Sequence, residues 1–224
     1  MYIVLRSPMT EINEKEIEKT WLKRIRAFIG VLGMILPWLA LLGAALVNKT
    51  SHFPDEFWQN LSISATYYIT PPLVGILTTA AIILMCYKGY DWRDNLVTTL
   101  SGIFGAMIVL FPCKCAISGE LVGYFQLPVN VSHTIHCVSA VAFFVLLSIN
   151  SMFLFTLGKS DTKNKKIKNI IFRVCAVGMI GGLVLIPLPI EFRSKIFISE
   201  AIALTFFAVS WLVKSEIFGF LSDD

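Results

Sequence analysis

Six apolar runs of near-bilayer length alternate along the chain with short stretches that hold most of its charge. The runs are Ala27–Val47, Tyr68–Tyr87, Leu96–Phe111, Ser132–Leu157, Ile170–Leu188 and Ile196–Val213. A hydrocarbon core of about 30 Å needs about 20 apolar residues in a helix. The pattern therefore predicts an all-α polytopic membrane protein with six transmembrane helices. Pro37 interrupts the first run, and Pro71-Pro72 fall in the first turn of the second, where a missing N–H costs little. Before the first run, Ile12, Ile17, Trp21, Leu22 and Ile25 recur at roughly helical intervals between charges. This spacing predicts an amphipathic surface helix with Thr10 as its N-cap; the alternative is a charged flank that only sets topology.

Composition agrees with a membrane chain and leaves no room for a separate soluble core. The 224 residues are 56% hydrophobic and 15% charged, with a mean hydropathy of +0.72, where soluble domains carry about 25% charged residues. The expected organisation is a cytoplasmic N-terminal segment 1–26, a transmembrane domain 27–213 and a cytoplasmic tail 214–224. Residues 1–26 hold four glutamates among their lysines and do not read as a secretory signal. The net charge of +4 is topogenic and gives no support to a nucleic-acid partner. With the N-terminus inside, inner segments hold fifteen Lys and Arg and outer segments four, so both termini are expected in the cytoplasm. The expected location is an integral membrane one: a bacterial inner membrane, or an endomembrane or plasma membrane in a eukaryote.

Small residues mark two of the predicted spans. Ser101, Gly102, Gly105 and Ala106 lie in the third, and Gly178-x-x-x-Gly182 in the fifth. They allow close helix approach, either within the bundle or as a homo-oligomer seam. The basic segment Lys159–Lys168 reads as a cytoplasmic loop attracted to anionic headgroups. Asp91, Arg93 and Asp94 form a polar turn, pairing among themselves or solvated.

Candidate chemistry gathers near the outer side. Ser62, Ser64, Tyr67 and Tyr68 lead into the second span, His133 and His136 begin the fourth, and Glu200 lies one turn inside the sixth. Glu200 is the only carboxylate within any predicted span, and an intramembrane ionisable group is a functional hypothesis by default. A step of three keeps His133 and His136 near one helix face. They are candidate metal ligands, with Glu200 or His52 as a third and Ser64 beside the metal-bound water of a hydrolase. The His-Glu-x-x-His spacing of metalloproteases is absent. The alternative has His136 hydrogen-bonded to Glu200 or a serine, with His133 in interfacial water. No cofactor is expected, since haem needs axial ligands from facing helices. Transport through Glu200 lacks a second buried carboxylate in the predicted spans. Cys137 can pair with Cys113 or Cys115 in an oxidising compartment, or all can stay free. Asn48-Lys-Thr50, Asn60-Leu-Ser62 and Asn130-Val-Ser132 match the glycosylation sequon, all on the outer side.

From about Ser62 to Thr156 short elements accumulate: Ser62-Ile63-Ser64 followed by Pro71-Pro72, Arg93-Asp94-Asn95, Gly102 and Gly105 before Phe111, then His136, Ser139, Ala140, Phe143 and Phe144. In these the chain resembles the damage-regulated autophagy modulator (DRAM) family, its relatives in GPI-anchor lipid remodelling, and bacterial six-span proteins of unknown function. Ser139 stands where glycine is usual, and His133 has no counterpart. The resemblance implies a six-span bundle and lipid handling. The expected function is an integral membrane protein that binds or organises membrane lipid through an outward-facing polar pocket of Ser62, Ser64, Tyr67, Tyr68, His136 and Glu200. Two alternatives stand beside it: a metal-assisted hydrolase or transferase acting on a membrane lipid, with His136, His133, Glu200 and Ser64 as candidate catalytic residues, and a small transporter or channel using Glu200. Turnover is left open.

Overall fold

The structure, a computed structural model, describes residues 8–89, 91–158 and 162–219, and of residues 8–15 the backbone alone. Seven α-helices appear among the described residues: α1 (Pro8–Ser51), α2 (Asp55–Gln59), α3 (Pro72–Cys86), α4 (Trp92–Leu110), α5 (Val129–Ile149), α6 (Lys163–Leu185) and α7 (Lys195–Ser215). A 3-10 turn (Ser64–Tyr68) precedes α3, and a π turn (Asn150–Leu154) prolongs α5. A small antiparallel hairpin, β1 (Leu121–Val122) with β2 (Leu127–Pro128), sits between α4 and α5. Four stretches are long and apolar enough to cross a membrane: Glu16–Ser51, Val129–Leu154, Lys163–Leu185 and Lys195–Lys214. Helix α3 is apolar but has only 15 residues, a rise of about 22 Å at ~1.5 Å per residue.

The long helices form a closed ring. Helix α1 packs on α3, α3 on α4, α4 on α5, α5 on α6, α6 on α7, and α7 returns to α1. Small residues set the closest approaches. A Cβ at Gly102 of α4 would meet the Ala81 carbonyl oxygen of α3 at 2.6 Å, and one at Gly182 of α6 would meet the Ser199 carbonyl oxygen of α7 at 2.7 Å. Gly178 likewise faces the Phe206 ring of α7. The glycines that suggested a seam between copies thus pack within the chain. Gly182→Ala is expected to push α6 off α7 and cost about 1–3 kcal/mol. Gly181→Ala, with nothing within 4 Å, is expected to be neutral or to gain up to ~1 kcal/mol of helix propensity. Thermal unfolding of the two variants in detergent checks the contrast.

Several boundaries differ from the sequence pattern. The expected surface helix, the first span and the start of the following loop are one continuous helix, α1, of 44 residues, about 66 Å long at ~1.5 Å per residue. Thr10 falls inside this helix instead of capping it. The side chains of Thr10 and Ile12 lie outside the described residues. No breaker stands between Arg26 and Ala27, and other helices hold the segment. Leu22 and Ile25 pack on the core, Lys23 pairs with Glu216 at 2.6 Å, and Glu18 with Lys88 at 3.6 Å. The helix also continues through Pro37, since removing one backbone bond does not end a helix packed on neighbours. The predicted basic loop is helix from Lys163 onward, because the Thr162 hydroxyl accepts the Lys165 N–H and caps α6; residues 159–161 lie outside the described residues. Helix α4 begins at Trp92, four residues before the predicted span, because the Asp91 carboxylate accepts the N–H groups of Arg93 and Asp94. Of the expected tail, residues 220–224 lie outside the described residues.

One end of the ring is charged. There Arg26 Nε donates to the Tyr87 hydroxyl at 2.8 Å, and Lys168, 3% exposed, donates to Glu216 at 3.0 Å. Lys214 donates to the Phe155 carbonyl at 3.3 Å and lies over the rings of Phe155 and Phe172. Asp94 is buried at this end as well. Helices α2, the 3-10 turn and the hairpin occupy the opposite end.

Candidate functional site

The site is built on the turn between α2 and α3. Ser62 caps this turn, its Oγ accepting the Ala65 N–H at 2.8 Å, and Thr66 Oγ1 donates to the Ile63 carbonyl at 2.6 Å. Pro71 and Pro72 then start α3. The segment before the turn is fastened to the start of α7: the Ser194 N–H donates to Gln59 O at 2.9 Å, Ser194 Oγ to Trp58 O at 2.8 Å, and the Phe197 N–H to Leu61 O at 3.0 Å. One helical turn further along α7, Glu200 comes beneath Ile63 and Ser64. Its Oε2 accepts the Ile63 N–H at 2.5 Å, and its Oε1 lies 3.3 Å from Ser64 Oγ.

His136 reaches the same serine from α5. Its Nε2 lies 2.9 Å from Ser64 Oγ, and its Nδ1 lies 2.9 Å from Phe111 O and 3.1 Å from Ile108 O. Carbonyl oxygens only accept, so Nδ1 carries the ring proton, and in the neutral imidazole Nε2 presents a lone pair to the serine. The Ser64 proton has two acceptors to choose between. The 2.9 Å contact to Nε2 is the stronger, because 3.3 Å is long for a hydroxyl donor. Ser64 and His136 are both buried.

Below Ser64 and Glu200 the ring encloses a cavity of about 80 Å³. Every ring helix contributes to its wall, with Leu36, Leu77, Ile108, Phe143, Leu183 and Leu204 among the lining residues. It is apolar except at the end held by Ser64 and Glu200. The geometry differs from an outward-facing polar pocket. The polar groups form a buried roof, and the open space lies beneath them inside the ring.

The other candidate residues do different work. Tyr68 donates to the Cys113 carbonyl at 2.6 Å and latches the turn to the α4–α5 connection. Tyr67 packs edge-on against Tyr68 and on the core. His133 turns away from His136: its Nδ1 accepts the Lys114 N–H at 3.3 Å, and Cys137 Sγ lies 3.7 Å from its ring. His52 is exposed at the end of α1, its Nδ1 3.2 Å from Thr50 O. His133 and His136 therefore do not converge on one point, and among the described residues no group of three or more His, Cys, Asp or Glu side chains could hold a metal ion. All five cysteines are free thiols. Burial pushes the Cys113 thiol up, so it stays protonated at neutral pH.

Two features were not legible beforehand. Asp94 is a second buried carboxylate, helical because Asp91 starts α4 early. Asn150 is wholly buried in the π turn, and neither amide atom has a hydrogen-bond partner among the described residues. A polar residue in an apolar run was its one available signal.

Compared with protein-family models, with curated proteins and with solved structures, the chain matches none of them.

Proposed function

We propose that the chain is a six-span integral membrane protein, both termini cytoplasmic, that binds membrane lipid by taking the carbonyl end of an acyl chain into the ring cavity. The observation that carries the reading is the cavity itself, apolar along its walls and polar at one end. Its volume of about 80 Å³ matches two or three groups of water size, at ~30 Å³ each, which suits an acyl carbonyl and its first methylenes and is too small for a headgroup. Six spans are supported by α4, 19 residues long, and by α3 taken with the turn before it. Non-helical backbone is tolerated at membrane depth where protein buries it, as Ser64, Ala65 and Thr66 are buried. The excess of Lys and Arg around the charged end supports the orientation. The lipid handling implied by the resemblance to DRAM-like proteins fits the same reading.

Filling the cavity tests it. Ala140→Leu adds three carbons to a space with room for about three. Lipid extracted from purified protein and quantified by mass spectrometry is expected to fall at least tenfold in this variant, with thermal stability kept. Wild-type protein that carries no lipid, or a filled variant that retains as much, refutes the reading.

A further inference from the structure

We propose that Ser64 is an acyl-accepting nucleophile with His136 as its general base, so that the site transfers the acyl group of a membrane lipid ester. The inference rests on the lipid-binding reading above and adds chemistry to it. Three features of the geometry point this way. Nucleophile and base lie within hydrogen-bond reach, Ser64 Oγ to His136 Nε2 at 2.9 Å. The base is oriented by a third group, the Phe111 and Ile108 carbonyls that hold its Nδ1–H. The nucleophile lines the cavity into which the acyl carbonyl would come. Together these meet the requirement for an activated hydroxyl: a base beside it, and an orienting group behind the base.

The step balances without a cofactor. Ser64 Oγ attacks the ester carbonyl carbon as its proton passes to Nε2. The tetrahedral adduct then expels the lipid alkoxide, which takes the proton from Nε2 and departs as an alcohol. Water or a second lipid's hydroxyl attacks the acyl-serine, its proton passing to Nε2 and then to Ser64 Oγ, and the product is a free acid or a new ester. The Ile63 N–H, adjacent in the chain to the nucleophile, already donates to a carboxyl oxygen, Oε2 of Glu200, at 2.5 Å. In the adduct the carbonyl oxygen displaces Glu200 from that N–H, and the N–H serves as the oxyanion donor.

The test is covalent labelling of the purified full chain in detergent by an alkyl fluorophosphonate, followed by intact-mass and peptide mass spectrometry. Attack by Oγ forms a serine–phosphorus ester and releases fluoride. One adduct on Ser64 is expected, absent in Ser64→Ala. His136→Gln keeps a hydrogen-bonding group but supplies no general base, and should label at least about a hundredfold more slowly. A folded wild-type chain without an adduct on Ser64 overturns the proposal, as does His136→Gln labelling at the wild-type rate. If His136→Gln does not fold, the position of the wild-type adduct decides, and labelling spread over other serines at the same rate as Ser64 overturns the proposal. Lipid retention is read separately. Retained lipid with an unlabelled Ser64 leaves the binding reading standing and removes this one, and a labelled Ser64 in lipid-free protein removes the binding reading, and with it the lipid ester as substrate, while leaving Ser64 a nucleophile.

Discussion

His136→Leu is expected to destabilise the protein by about 3 kcal/mol, while His133→Ala costs less than ~0.5 kcal/mol. The two histidines are three residues apart on one helix, so the contrast isolates what the ring makes of each. His136 supplies the proton for two carbonyls, Ile108 and Phe111, at the end of α4. The last carbonyls of a helix have no partner within it, and two of them at this end face the buried His136 ring of α5. Leucine fills the volume but donates nothing, and an unsatisfied buried carbonyl costs about 1–3 kcal/mol. The Ser64 hydroxyl also loses its 2.9 Å acceptor and falls back on Glu200. His133 makes only long contacts near the surface, to the Lys114 N–H at 3.3 Å and to Cys137 Sγ at 3.7 Å, and its loss exposes backbone that water can reach. Unfolding in detergent measures both variants, and a cycle with Ser64→Ala should return a coupling of about 1–2 kcal/mol for the Ser64–His136 pair. Equal losses for the two histidines would refute this assignment of the buried role to His136.

Glu216→Gln is expected to lower stability at pH 7 by about 2 kcal/mol and to flatten the acid limb of the stability curve. Glu216 terminates α7 in a left-handed conformation (φ 56°) and accepts from Lys23 of α1 and Lys168 of α6. Burial alone raises its pKa, but the hydrogen bonds and charges of the two lysines outweigh burial and bring it down from 4.5 to about 2. The folded value lies below the unfolded one. Its contribution is therefore complete above about pH 4.5 and lost as the pH falls toward about 2. Glutamine has no such titration, so the wild-type and variant curves should converge in acid. Curves that stay parallel from pH 7 to pH 3 would sink the idea. The exposed Lys88–Glu18 pair is a control, since solvated pairs contribute about 0–1 kcal/mol.

Both predictions depend on contacts that the sequence pattern carries unequally. The apolar runs near Ala27–Val47, Ser132–Leu157, Ile170–Leu188 and Ile196–Val213 correspond to α1, α5 with its π turn, α6 and α7, the four helices apolar and long enough to span. That much follows from partitioning, which is local and additive: a run of apolar side chains is favourable in hydrocarbon wherever its neighbours lie. Helix starts were less visible, because they depend on caps. Asp91 and Thr162 each add a turn or more by accepting one or two N–H groups, and α1 runs unbroken because Leu22 and Ile25 pack on the core and Lys23 finds a partner 193 residues away.

Membrane depth placed Ser64, His136 and Glu200 at a common level in the sequence, but depth cannot say which side of a helix a residue presents. The closure of α7 onto α1, and the fastening of Gln59 and Leu61 to the start of α7, bring Glu200 under a turn 136 residues earlier. The same closure sends His133 toward Lys114 and His136 into the core, although a helical step of three puts them near one face. By itself the sequence determined that this is an all-helical membrane chain, and which polar residues are scarce enough to matter. The tertiary structure alone decided that three of them share one proton-carrying chain of contacts over a cavity. Hydrophobicity is a property of each segment, whereas a hydrogen bond needs two groups within about 3 Å, and only the packing of the ring brings them that close.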